Sequence, residues 1–338
     1  MKRPSVCVTI VTYNSQSFIP ACLESVFSQN YRPLEVVIVD NASKDDTPAL
    51  LRRWAGRARV VCNGRNIGFA AAQNQAIALS RSEWILVLNP DVLLQPGFIE
   101  GLVEAGQTDP KTGTVCGKLL AIGRDFQPSR EAHIDSTGIY FTPAMRHFDR
   151  GWDEPDDGRF GEPEYVFGAS AAAALYRRKM IADVSGDDAF FDPDFFAYRE
   201  DADVAWRAQW LGWRCLYTPE AVAYHARSVV AGRRRRVPAV LNMHSVKNRF
   251  LMRIKNTSGG LYRRYWLPMT LRDLLVVGGC LLYEPSSLPA FWRLCACLPR
   301  AWKQRGRLMG RRRVSDETMA GWFSSQPATG STPQLVLR

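Results

Sequence analysis

The feature that most constrains the fold is a strand-and-helix alternation that occurs four times before residue 106. Val6 to Val11 is a continuous β-branched and apolar run that turns polar at Tyr13 to Ser17. Phe18, Ala21, Cys22, Ser25 and Val26 then recur at helical spacing. The unit returns as Leu34 to Val39 with a helix near Pro48 to Trp54, as Arg59 to Val61 with Ala70 to Leu79, and as Trp84 to Leu88 with Gly97 to Ala105. Such a repeat predicts an α/β fold: a mostly parallel, doubly wound sheet with helices on both faces.

Ligands of such sheets lie outside the carboxyl ends of the strands. The residues there are polar: Thr12, Tyr13 and Asn14, then Asp40, Asn41 and Ser43, then Asn63 to Asn66, then Asn89, Pro90 and Asp91. No GxGxxG and no Walker P-loop follows any of the strands, which removes the diagnostic feature of a Rossmann dehydrogenase or a P-loop NTPase. Asp40 has two readings, a turn cap or an acceptor for a pyrimidine N–H with the Thr12 to Asn14 loop covering base or ribose. Asp91 is either part of an Asn-Pro-Asp turn or the carboxylate that holds a divalent cation, with a diphosphate and water completing the oxygen shell. His225 ends a short strand-like stretch, Ala221 to Tyr224, and is either structural or a second ligand to that ion. Glu200, Asp201 and Asp203 crowd a predicted helix start at 200–211, beside the aromatic Phe190 to Tyr198 and the small Gly168 to Ala174. Acids stabilise a helix N-terminus, and the same group suits a sugar pocket with a general base.

Charge divides the chain. Residues 1–225 carry 23 Lys and Arg against 29 Asp and Glu, whereas 226–338 carry 21 against 4. A basic last third points to an anionic partner, and Val240 to Lys255, Tyr262 to Tyr283 and Phe291 to Arg313 read as amphipathic helices for an anionic membrane face. Packing on the rest of the chain, or a homo-oligomer interface, is the alternative for these helices. Residues 112–165 read as a loop-rich β insertion, 1–230 as one catalytic unit divided near 110, 231–323 as the basic helical region and 324–338 as a disordered tail. Eight scattered cysteines without a CxxC spacing predict reduced thiols in a cytosol. The N-terminus lacks the pattern of a signal peptide, and the longest apolar run, Leu274 to Tyr283, is shorter than the roughly 20 residues of a bilayer span.

Singly these signals are weak, but their order is specific. VTIVTYN at 8–14, VDNASKDDT at 39–47, NIGFAAAQN at 66–74, LNPDV at 88–92, FFAYREDADVAWRAQWLGWR at 195–214 and His225 together resemble the family 2 glycosyltransferases of the GT-A, Rossmann-like fold, particularly the rhamnosyltransferase-like branch that builds bacterial surface polysaccharides. The resemblance covers about residues 4–230. It implies a nucleotide-diphosphate sugar donor and a saccharide or lipid-linked acceptor; together with the cysteine pattern and the basic last third, the expectation is a cytoplasmic enzyme peripheral on the inner face of the membrane through residues 233–313. It also implies Asp40 on the base, Asn66 and Gly68 along the nucleotide cleft, Asp91 on Mg or Mn with His225 assisting, and Asp201 beside Glu200 as the catalytic base. The family's DxD begins here with Asn89, which carries no charge and suits ribose better than metal. The rivals are a nucleotidyltransferase, which usually brings a Gly-rich loop and a Lys after the first strand, and a nucleic-acid-binding protein using Arg233 to Arg236. The acidic body, lacking a nucleic-acid-binding motif, speaks against nucleic acid as a partner.

Overall fold

The computed structural model describes residues 3–126, 132–227 and 238–323. Its first half is the expected alternation: β1 (Val6–Thr12), α1 (Ile19–Phe27), β2 (Leu34–Asp40), α2 (Thr47–Arg52), β3 (Arg59–Cys62), α3 (Phe69–Ala78), β4 (Trp84–Leu88), the short β5 (Val92–Leu94) and α4 (Phe98–Gln107). Strands β4, β1, β2 and β3 run parallel in that order. The reason the strands are apolar without interruption is visible in the packing. Val6, Val8, Ile10, Val36 and Ile38 enter one core cluster, while Cys7, Val11, Val37 and Val39 enter the other on the opposite face. A strand covered on both sides needs apolar residues at every position. The β1–β2 register ends on Thr12↔Asp40, so the first two predicted site stretches emerge side by side.

The second half departs from the expected pattern. Residues 112–165 are less loop-rich than their composition suggests, because β6 (Thr112–Ala121) is a ten-residue strand inside the main sheet. Its sequence hides it: Gly113, Gly117 and Lys118 interrupt the apolar run. Gly117 is required by close approach, since a Cβ there would meet the Ala221 carbonyl oxygen at 2.2 Å. Short strands β7 (Ile134–Ser136), β8 (Ile139–Phe141), β9 (His147–Asp149) and β10 (Glu164–Val166) follow. Then β11 (Ala173–Arg177) inserts antiparallel between β4 and β6. After α5 (Arg178–Ser185) and α6 (Glu200–Trp210), the long β12 (Arg214–His225) runs parallel to β6 and brings His225 opposite Val92 of β5.

Four helices close the described chain: α7 (Ala239–Asn256), α8 (Gly259–Leu282), α9 (Pro289–Arg311) and α10 (Asp316–Ala320). Leu251, Met252, Leu261, Ala301, Leu308 and Phe323 join the same core cluster as Trp206 and Trp210 of α6. The stretch 240–255 therefore differs from a membrane-surface helix: α7 is buried on the catalytic body, with Lys255 paired to Asp192 at 2.5 Å and to Asp203 at 3.1 Å. Much of the basic charge on α9 and just beyond faces the acidic body as well, through Arg300 with Asp192 and Asp194, Arg307 with Asp188, and Arg311 and Arg313 with Asp183. What remains exposed is large apolar side chains interleaved with basic ones such as Arg263, Arg264, Arg293 and Lys303. Trp266, Leu271, Leu274 and Leu282 of α8 and Trp292 and Trp302 of α9 all face outward. The apolar run, up to Leu282, forms the end of a 24-residue helix that, by length and composition, is long and apolar enough to cross a bilayer, although Arg272 and Asp273 stand near its middle. Arg233 to Arg236 and residues 324–338 lie outside the described residues.

Candidate active site

Two groups of predicted site residues emerge at the carboxyl ends of the parallel strands. The first surrounds β1, β2 and β3. Asp40 Oδ1 accepts from Thr12 Oγ1 at 2.9 Å and Ser43 Oγ at 2.6 Å, and its Oδ2 accepts from the Ser43 N–H at 3.0 Å. The turn-cap reading of Asp40 is thus realised, and Oδ2 retains a lone pair beyond that one bond. Tyr13 is 47 % exposed, and Asn14, at φ 52°, is tied to the second loop through Ser43 and Lys44. Asn41 and Asn66 brace the loop instead of facing outward. Asn41 Nδ2 donates to Asn66 Oδ1 and the Gly68 carbonyl, and Asn41 Oδ1 accepts the Ile67 N–H. Gly68, at φ +86°, has no room for a side chain: a Cβ would lie 2.7 Å from the Phe196 carbonyl oxygen. The Ala70 N–H donates to that same oxygen, so the start of α3 pins the loop that precedes α6.

The second group meets in a cavity of about 430 Å³ lined by Asn89, Asp91, Glu200, Asp201 and His225, together with His147, Asp149, Ser170 to Ala172, Tyr198, Arg199 and Arg227. Stretches more than a hundred residues apart converge here. His225 is 7 % exposed; its Nδ1 is 2.8 Å from Asp135 Oδ2 and its Nε2 is 3.4 Å from Asp91 Oδ1. Burial works to lower the imidazole pKa, but the hydrogen bonds and charges of Asp135 and Asp91 outweigh it and raise it to about 9. Asp135 also takes Arg227 at 2.5 Å, and Arg227 reaches Asp149.

Among the described residues no three His, Cys, Asp or Glu side chains are grouped to hold a metal unaided. Asp91 and His225 still fit a divalent cation as a two-ligand site if the cation displaces the Nε2 proton, because Asp135 would keep the Nδ1 proton and leave Nε2 turned to the Asp91 carboxylate. The remaining ligands would come from a diphosphate and water.

At the other side of the cavity, Phe196, Tyr198 and Arg199 all have positive φ, so the chain arrives at α6 through a strained turn. Asp201 Oδ2 accepts the Ala171 N–H at 3.1 Å and Oδ1 its neighbour Ala202's N–H at 2.7 Å. Glu200 has less support: it is 6 % exposed, its Oε2 has no hydrogen-bond partner, and its own backbone N–H and the charge of Arg199 work against the rise. Burial, then the adjacent Asp201, raise the Glu200 carboxyl, while burial raises Asp201 against the pull of its two backbone N–H bonds. Of two adjacent carboxyls the less supported one holds its proton more tightly, so Asp201 is the better placed of the two to accept one. Asp203, the third acid of the cluster, faces away from the cavity and binds Arg207, Lys255 and Asn256 in the interior.

The sequence offered no signal for several residues that organise this site. Asp135 lies in the stretch that composition left unplaced. Asn248 sits in the supposed membrane helix, yet its Nδ2 reaches the carbonyls of Phe195, Ala197 and Tyr198 at 2.8 Å each, holding the strained turn from behind.

The profile of the family described as Glycosyl transferase family 2 matches residues 7–185. The N-acetylglucosaminyl-diphospho-decaprenol L-rhamnosyltransferase of Mycobacterium tuberculosis (strain CDC 1551 / Oshkosh) is 28 % identical over 242 residues, covering 67 % of this chain and 77 % of the relative. Among solved structures, GalNAc-T7 with UDP, GalNAc and Mn2+ superimposes with a TM-score of 0.59 at 16 % identity, over 77 % of this chain and 50 % of that one. The mannosyltransferase PcManGT from Pyrobaculum calidifontis, in complex with GDP-Man and Mn2+, gives 0.51 at 19 % identity, over 92 % and 86 %. At these identities the two structures speak for the fold, the GT-A arrangement.

Proposed function

The chain belongs to the family 2 glycosyltransferases, and on that premise we propose that it moves L-rhamnose from a nucleotide-diphosphate donor to a hydroxyl of a saccharide or lipid-linked acceptor, with inversion, in the assembly of a cell-surface polysaccharide. The observation that carries the reading is the convergence of Asp91, His225, Glu200 and Asp201 on one cavity. An acceptor hydroxyl is a poor nucleophile. Asp201, held by the Ala171 and Ala202 N–H groups, takes its proton as it attacks the anomeric carbon from the face opposite the nucleotide. Glu200, protonated, adds no charge that would repel the donor's diphosphate. Asp91 and His225 would hold Mg or Mn, and such a cation would supply positive charge to offset that developing on the leaving diphosphate. On the nucleotide side, the free lone pair of Asp40 Oδ2 accepts a base N–H, and Thr12, Tyr13 and Asn14 cover base and ribose. Asn89, uncharged, contacts the ribose; Asn41, Asn66 and Gly68 shape the cleft through the loop they brace.

The exposed apolar face of α8 and α9 supports a cytoplasmic enzyme held peripherally on the inner membrane face, where aromatic groups sink to headgroup depth. The test is a thermal-shift panel of UDP-, dTDP- and GDP-sugars with Mn or Mg, followed by product analysis with the donor that binds. A ligand that binds only the folded chain raises its apparent stability. If no nucleotide sugar shifts the melting point, or transfer proceeds at full rate in excess chelator, the reading is wrong.

A further inference from the structure

Four arginines from separate stretches gather beside the catalytic cavity. Arg199, on its wall, donates from Nε to the Ser245 carbonyl at 3.3 Å and meets His147 Nδ1 at 2.9 Å. Arg249 follows Ser245 by one turn of α7 and is only 7 % exposed. Arg146, in the turn between β8 and β9, and Arg272, on α8, act with Arg199 on Arg249 as like charges. Among the described residues no carboxylate pairs with Arg146, Arg249 or Arg272, and Arg272 Nε is buried without a hydrogen-bond partner. By contrast the neighbouring Arg253 has its own acid, Asp273, at 2.6 Å through two nitrogens.

A buried charge among like charges is costly unless something of the opposite sign completes it, and Arg249 is buried while Arg199 and Arg272 are half-buried and Arg146 lies at the surface. Burial, with the surrounding arginines adding to it, pushes the Arg249 guanidinium down to about 9. Burial and three of the same arginines hold His147 well below its ordinary value, so it adds no further charge. Planar guanidinium groups match phosphate oxygens in paired hydrogen bonds. The surroundings narrow the choice. Arg199 borders the catalytic cavity, and Arg272 lines a second cavity of about 710 Å³ whose wall carries the apolar Leu275, Val276 and Tyr283 beside the polar Asn242 and Glu284. A molecule ordered as sugar, diphosphate and hydrocarbon would match that sequence of environments.

The geometry points to Arg146, Arg199, Arg249 and Arg272 as the site for the diphosphate of a prenyl-diphosphate-linked acceptor, its sugar in the catalytic cavity and its chain along α8. This rests on the reading of the chain as a transferase acting on lipid-linked saccharides, and it assigns the acceptor's charged linker to residues that the donor does not use.

The probe is farnesyl diphosphate, titrated calorimetrically into the full chain with no donor present. It binds, farnesol does not, and Arg249→Gln weakens it by about tenfold or more, the scale of one lost charge-assisted contact. Binding of the donor nucleotide with Mn stays unchanged. Because the substitution relieves repulsion, the ligand-free variant melts higher than wild type, whereas a structural arginine would lower the melting point. Should Arg249→Gln fail to fold, Arg146→Gln provides the same readout from the β8–β9 turn. Farnesyl diphosphate binding equally to wild type and variant overturns the proposal. So does binding only to phosphatidylglycerol vesicles, which would assign the cluster to lipid headgroups. Transfer to a lipid-linked acceptor that ignores Arg249 sinks the cluster and leaves the reaction standing; farnesyl diphosphate binding without any sugar transfer does the reverse.

Discussion

Replacing Asn248 by Ala is the most informative perturbation, because it touches the active site only through the backbone it holds. The Asn248 amide donates to the carbonyls of Phe195, Ala197 and Tyr198 at 2.8 Å each, and the residue is fully buried. An amide nitrogen has two protons, so its loss leaves two of these buried or partly buried carbonyls without their partner at any moment. At about 1–3 kcal/mol for each, the variant should lose roughly 2–6 kcal/mol of stability, the lower part of that range being favoured because two of the three bonds are only partly buried. That is a large part of the 5–15 kcal/mol typical of a folded domain. The turn also contains Phe196, Tyr198 and Arg199 at positive φ, strain of order 1 kcal/mol or more apiece that persists only while the surroundings enforce it. Released, the turn relaxes and the start of α6 shifts, and a misplacement of about 1 Å in a reacting group costs on the order of 100-fold. Urea denaturation gives the first quantity and single-turnover sugar transfer the second. An Asn248→Ala protein within 0.5 kcal/mol of wild type and with full turnover would refute the idea that α7 holds the catalytic turn.

Other expectations follow from the same geometry. Asp201→Asn keeps the shape and removes the base, so turnover should fall about 100-fold or more while donor affinity, read by calorimetry, is retained. Asp91→Ala should weaken donor binding and abolish the response of the melting point to Mn; a variant with wild-type Mn response would remove Asp91 from the metal site. Glu200 is raised by burial and then by Asp201. The protonated carboxyl suits its site, so its contribution is full at low pH, where folded and unfolded chains both hold the proton, and is lost as pH rises through the folded value. Glu200→Gln should accordingly gain stability over wild type in alkaline buffer and none near pH 4, and parallel curves across that range would exclude a buried proton at Glu200.

The parallel half of the sheet was legible because its signal is local. An apolar strand such as Val6 to Val11, followed by polar Tyr13 and Asn14 and an amphipathic helix, states its structure within a dozen residues, and the strand ends then name Asp40 and Asp91 as candidates. The acids at 200 and 201 were legible for the same reason, as a crowd at a helix start. What the sequence left undecided depends on pairings across long separations. Asp135 engages His225 across 90 positions, and Asn248 reaches Tyr198 across 50. No periodicity marks either residue, since each is a lone polar group whose meaning is its partner. The basic last third shows the limit best: a charge pattern reports what a segment could attract, and both a phospholipid surface and the chain's own acids satisfy it. Only the packing of α7 and α9 against Asp183, Asp192 and Asp203 decided which arginines and lysines are already neutralised, and which, around Arg249, are not.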